Sequence, residues 1–143
     1  MNLPASIRHW IELRRPDFPI LQDVACYISG EETTVLPPFI AIIETGSTRT
    51  EQDGVPIRGV STVSVTVELH TVPAEDGTSS TTARDFAAAL YAIIGDIEGM
   101  LLATNGYGLT TILDIFIDAP TTDAQDGRRV TTWNLEILAH PFN

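Results

Sequence analysis

Apolar and polar residues alternate most regularly between Val60 and Val72. Val63, Val65, Val67 and Leu69 point one way; Ser64, Thr66, Glu68 and His70 point the other. A period of two in β-branched residues predicts a strand with one buried and one polar face. Val130 to His140 repeats the pattern, with Trp133, Leu135, Ile137 and Ala139 set against Thr132, Asn134, Glu136 and His140. Thr110 to Asp118 reads as a third strand, with Leu113, Ile115 and Ile117 on one side. Phe39 to Ile43 is an unbroken apolar run after two prolines, which suits a strand covered on both faces. Val24 to Ser29 has the makings of a short strand that Gly30-Glu31-Glu32 ends.

Two segments carry helical spacing instead. Ala5 to Arg14 sets Ile7, Trp10 and Ile11 on one stripe, between Pro4 at the start and Pro16 at the stop. The second begins at Ser80-Thr81-Thr82, which offers N-cap oxygens, with Asp85 favouring the helix dipole. Phe86, Leu90, Ile93, Ile94, Ile97 and Leu101 form its stripe. Gly95 and Gly99 weaken it by roughly 1 kcal/mol each against alanine, so a kink or break is expected there. Asn105-Gly106-Tyr107-Gly108 ends it. Two polar connections remain. Gly46 to Gly59 is either a loop or a protruding hairpin arm, and Pro120 to Arg128 is a turn with Asp126-Gly127 as its signal. The order is helix, strand, strand, helix, strand, strand. Neither strand pair leaves room for a crossover helix, so each is antiparallel. The expected fold class is α+β, a mainly antiparallel sheet with helices packed on one face, in a single domain spanning 1–143.

Composition narrows the function. At 143 residues with 43% hydrophobic and 19% charged side chains, the chain can bury a core of its own. The formal net charge is −11, and all eight basic residues are arginines. A basic footprint for holding phosphates is missing, and an anionic membrane would repel the chain. The longest apolar stretch, Ala87 to Ile94, falls far short of the ~20 residues of a membrane span. The first residues lack the pattern of a signal peptide, and the lone Cys26 has no partner for an internal disulfide, which points to a reducing compartment.

No catalytic constellation is legible. There is no Gly-x-Ser-x-Gly elbow and no phosphate loop ending in Gly-Lys-Ser/Thr. Cys26 reads as a small buried hydrophobe. His9, His70 and His140 belong to no zinc-binding spacing. Glu68 with His70, and Glu136 with His140, would converge on a metal if their strands were suitably placed. The plainer reading is polar positions on an outward sheet face. Asp118, Asp123 and Asp126 are too loosely spaced for a calcium loop. No cofactor is expected.

The arrangement resembles the tail terminator (tail-completion) proteins of long-tailed bacteriophages. The residues that carry the resemblance span most of the chain. A short N-terminal helix precedes the strand Leu36-Pro37-Pro38-Phe39-Ile40-Ala41-Ile42-Ile43. A charged loop leads into Val63 to Leu69, the helix from Ala83 to Ile97 follows, and a hairpin ends in Trp133 to Pro141. The resemblance lies in order and texture; it carries no essential residue across. It implies a ring, typically of six copies, on the head-proximal end of the tail tube. Such a ring stops tube growth and docks to the connector or stopper protein of the neck, with genomic DNA passing through its lumen. The place implied is the virion, after assembly in the host cytoplasm.

A ring needs one patch of a subunit to meet a different patch of the next. The charged connections supply the candidates for contacts with a second copy or a partner: Arg49, Glu51, Asp53 and Arg58 in the first, Asp123, Asp126, Arg128 and Arg129 in the second. Arginine suits paired hydrogen bonds to a carboxylate across an interface. Ordinary solvated surface is the plainer account of the same charges. The alternatives are a head-closure or other neck protein of the same virion, a small enzyme, and a ligand-binding module with a deep apolar pocket.

Overall fold

The computed structural model describes residues 3–28, 37–52, 55–72, 78–107, 110–125 and 128–141. In chain order the elements are α1 (Leu3–Arg14), β1 (Ala25–Ile28), β2 (Phe39–Gln52), β3 (Val55–Thr71), α2 (Thr78–Ile94), α3 (Ile97–Tyr107), β4 (Thr110–Ile117), β5 (Thr121–Gln125) and β6 (Arg128–Pro141). Two short 3-10 turns, Arg15–Asp17 and Pro19–Leu21, join α1 to β1. The strands form one six-stranded sheet in the order β1-β2-β3-β6-β4, with β5 also paired to β6. The α+β class and the antiparallel pairing of β2 with β3 and of β4 with β6 match the expectation from sequence.

The alternation in β3 and β6 explains the layers. Val63, Val65, Val67 and Leu69 are all buried, as are Trp133, Leu135, Ile137 and Ala139. Register sets Val67 opposite Trp133 and Val65 opposite Leu135, so the two rows form one apolar face. Ile40 and Ile42 extend it on β2, and Leu90, Ile93 and Ile94 of α2 join the same core cluster with Leu3, Ile7 and Ile11 of α1. The opposite, outer face is mostly polar in its centre. There Ser64 donates to the Glu136 carboxylate at 3.0 Å and Thr66 to Asn134 Oδ1 at 3.2 Å. Phe39 and Ala41 face this outer side and are buried all the same. The expectation of a strand covered on both faces therefore holds at β2.

Several local readings change. The second helix is two helices. Its first part stops at Ile94, where Gly95 N–H returns to Tyr91 O at 2.7 Å. Asp96 then caps α3, its Oδ1 accepting from Gly99 N–H at 3.1 Å. A Cβ on Gly99 would stand 2.9 Å from Trp10 Cη2, so glycine lets α3 lie close against α1. The segment from Pro120 to Arg128 is not merely a turn: Thr121–Gln125 pairs with β6 as a strand. In β4 the register shifts between Ile112 and Asp114. Ile112 and Ile115 are buried and Leu113 is exposed, against the simple alternation that put Leu113 inside. The first helix starts two residues earlier than expected, at Leu3. The short strand ends at Ile28 and pairs parallel to β2, a pairing absent from the sequence reading.

The described residues between Gly46 and Gly59 form the two strands of a hairpin arm rather than a loop. Arg49 pairs with Ser61, Glu51 with Pro56 and Gln52 with Val55. Pairing of β3 with β6 begins only at Ser61, so the arm runs on beyond the body of the sheet. Beyond that level the arm adds three residues on β2, from Arg49 to Gln52, and six on the more irregular β3, so the shorter strand limits the projection to about 10 Å at the strand rise.

Candidate functional site

The eight charged candidates divide between two ends of the sheet. Arg49, Glu51 and Arg58 lie on the arm, and Asp53 lies outside the described residues. Asp123 is exposed on β5, Arg128 and Arg129 open β6, and Asp126 lies outside the described residues. Arg49 stands level with Ser61, and Ser61 with Ala139. Arg129 is ten residues further along β6, a separation of about 33 Å at the strand rise. Within one chain the two groups therefore do not meet.

Arg128 and Arg129 part company because neighbours on a strand face opposite ways. Arg128 turns to the outer face, where its guanidinium lies 5.6 Å from the Phe39 ring centroid. The Phe39 ring stacks on His70 at 4.3 Å and takes the edge of Tyr27 at 5.9 Å. His70 Nε2 sits 3.1 Å from Glu68 Oε1, as expected for two residues sharing one strand face. His140 and Glu136 do not complete a metal site with them: His70 is level with Val130, ten residues of β6 away from His140. Among the described residues no three metal-ligating side chains come together.

Arg129 turns inward, under α2. There the helix presents Ala83, Ala87 and Ala88 toward the start of β6. These positions flank the apolar stripe of α2, and their small side chains leave space between helix and sheet. The result is a groove of about 360 Å³. Its floor is Arg129, Thr131 and Trp133 of β6, its rim Thr122 of β5 with Pro120, and its helical wall includes Arg84 and the exposed Tyr91. Thr122 and Thr131 hydroxyls lie 3.4 Å apart. Trp133 is 1% exposed, and its indole Nε1–H has no hydrogen-bond partner among the described residues. A buried donor left unpaired costs roughly 1–3 kcal/mol, so this indole is a local weak point of the core.

Arginines with described side chains differ in the same respect. Arg14 pairs with Asp17 at 3.2 Å and Asp96 at 2.9 Å. Arg15 donates to Val24 O at 2.8 Å. Arg84 and Arg129, both on the groove, make no ion pair among the described residues. The sequence reading found Arg129 but missed Arg84 and the indole N–H of Trp133. Arg84 had no distinguishing neighbour in sequence. Trp133 was legible as inward-facing, and only its partnerless N–H sets it apart.

Cys26 is buried on β1, paired with Ile40. Burial, with the Glu12 carboxylate adding to it, pushes its thiol from 9.0 up to about 12. At neutral pH it is a protonated hydrophobe, with the wrong ionisation for a nucleophile.

No family model matches the sequence, and no curated protein matches it. Among solved structures, a chain from the virion of a native gene transfer agent particle is similar over 96% of this chain and 93% of its own, at a TM-score of 0.63 and 9% sequence identity. At that identity the likeness establishes the fold and nothing finer. A second solved chain is matched over 97% of this chain and 96% of its own at 14% identity, with a TM-score of 0.45, too slight a likeness to build on.

Proposed function

We propose that this chain is a structural virion protein whose residues 1–143 form one tail-terminator-like domain. Copies of it close a ring, of six in the simplest reading, on the head-proximal end of a tail tube. The ring stops growth of the tube and docks to the connector or stopper protein of the neck. The observation that carries this reading is the whole-length likeness of the fold to a chain of a gene transfer agent virion, with almost all of both chains superposed. It agrees with the order of elements that resembles the terminator family.

Two features of the molecule support a ring. The arm and the groove lie at opposite ends of the sheet, so any contact between them joins two copies head to tail. The edge strand β4 exposes Leu113 and Phe116, apolar surface of the kind a neighbour covers. Chemistry points the same way: the one thiol is held protonated, and the histidines lie on three different elements, His9 on α1, His70 on β3 and His140 on β6. With −11 per copy, a lumen sharing that sign lets DNA pass without holding it. The candidate interface residues remain Arg49, Glu51, Asp53, Arg58, Asp123, Asp126, Arg128 and Arg129, with Arg84 added.

Negative-stain microscopy of the purified chain with isolated tail tubes tests the reading. Rings on one end of each tube are expected. Attachment to the capsid portal and never to a tube would favour a head-closure or other neck protein, and absence from both would end the virion reading.

A further inference from the structure

We infer that Asp114 and Asp123 guard the long edge of the sheet: each carboxylate holds an N–H that would otherwise be open to a further strand. The inference goes beyond the ring reading and does not depend on it. Both β4 and β5 pair with β6 and with no other described strand, so together they form one broken edge running along β6. Asp118 N–H donates to Asn134 O at 3.0 Å, which fixes the residues that turn toward β6. Bonds alternate along an antiparallel pair, so Phe116 and Asp114 turn the same way as Asp118, and the N–H of Ile115 points off the edge. Strand β6 keeps one register against β3 throughout, so its alternation carries on to Thr132 and Val130. Ala124, level with Arg129, therefore also sends its N–H outward. Both of these outward donors are taken. Asp114 Oδ1 accepts from Ile115 N–H at 2.8 Å, and Asp123 Oδ1 accepts from Ala124 N–H at 2.8 Å.

The same bond at two places on one edge carries the inference. Asp114 stands level with Leu138 and Asp123 with Val130. The two are thus about 26 Å apart at the strand rise, and each half of the edge has its own guard. A strand joining here must bring a carbonyl oxygen to Ile115 or Ala124. It meets a carboxylate oxygen already in place, in a charge-assisted bond that a neutral carbonyl does not better. The edge has need of this. Leu113 and Phe116 are exposed along it, and apolar side chains on an open edge invite pairing with another chain. The register shift between Ile112 and Asp114 sets the first aspartate where β4 already departs from a regular ladder. At the opposite edge β1 is only four residues long, a different device to the same end. A neighbour can cover Leu113 and Phe116 with side chains while the backbone ladder stops at β4 and β5. The sheet of one copy does not run on into the next, and growth by edge-to-edge addition is held in check.

Two measurements on the full chain decide it. The first follows scattered mass over a concentration series, with circular dichroism confirming that each variant is folded. A closed ring has a fixed mass, whereas edge addition is open-ended and keeps growing with concentration. The double variant D114A/D123A, which frees both N–H groups, is expected to begin open-ended growth at a concentration at least tenfold below that of the original chain. D114N/D123N removes the same two charges and keeps an oxygen acceptor at each site, so its onset is expected within about threefold of the original. Equal onsets for the alanine and asparagine pairs, or an alanine pair that behaves as the original does, overturns the inference. The second measurement is amide hydrogen exchange on the unaltered chain, and it decides the matter even where the alanine pair fails to fold. Thr122 and Ala124 both point their N–H off β5 and both are exposed, but among the described residues only the N–H of Ala124 has an acceptor. After correction for local sequence, Ala124 is expected to exchange at least tenfold more slowly than Thr122; equal rates overturn the inference. The ring is judged separately, by the tube-end microscopy.

Discussion

The two tryptophans occupy matched positions and opposite circumstances. Both are buried, Trp10 at 5% and Trp133 at 1% exposure. Trp10 donates its indole N–H to Ile93 O at 2.9 Å, at the last turn of α2. Arg14 lies 5.2 Å from its ring centroid and reaches on to Asp96 and Asp17. Its indole N–H and the Arg14 guanidinium thus both have partners inside the chain. Trp133 lies under the other flank of α2, beside two arginines that have none. The first is a closed joint that fixes α1 against the junction of α2 and α3. The second is an open one, its donors left without acceptors among the described residues.

The comparison can be broken by substitution. Trp10→Ala should have the largest effect, destabilising the fold by about 3–5 kcal/mol through the cavity it leaves, measured by denaturant unfolding. Trp10→Phe keeps much of the volume and strands the Ile93 carbonyl, for a loss of about 1–3 kcal/mol. Trp133→Phe removes a donor that has no partner among the described residues. The isolated protein should change by less than about 1 kcal/mol; equal costs for the two Phe variants would show that the two joints do not differ.

Cys26 sharpens the account of the closed side, since it lies near α1 with Glu12, Arg15 and Arg8 acting on it. Its folded pKa, about 12, stands above the 9.0 of the unfolded thiol. The stabilisation is complete below pH 9 and is lost as pH rises toward 12, because only the unfolded chain then releases the proton. About 1.4 kcal/mol should be gone by pH 10 relative to pH 8, a loss that Cys26→Ala should remove from the stability profile. Arg14→Ala should have the smallest effect. Its ion pairs are part-exposed, with Arg14 and Asp96 side chains 29% and 40% accessible. A loss of about 1 kcal/mol or less is expected, shrinking as salt is added.

The sheet was readable where periodicity is local. Val63 to Leu69 and Trp133 to Ala139 show their inner rows in sequence, because a strand's faces follow from alternation alone. The helix break was readable from Gly95 and Gly99, although the Asp96 cap that organises it was not. Thr121–Gln125 was hidden because its polar composition matches a turn, and it becomes a strand only by pairing with the start of β6. Leu113 was misplaced by a register shift that alternation does not anticipate. Of the candidate site, the charges on the two connections were visible and their opposite placement was not.

The sequence by itself determined the class of fold, the two principal strands, the helix boundaries near Pro16 and Gly95, and the acidic surface, since each depends on residues close together in the chain. Tertiary structure alone decided the parallel β1–β2 pairing, the passage of β6 between β3 and β4, and the division of Arg128 from Arg129 between two faces of the sheet. It also decided which tryptophan finds an acceptor. Trp10 meets a carbonyl 83 residues away. Trp133 meets a wall of alanines, and no local pattern records what lies across that gap.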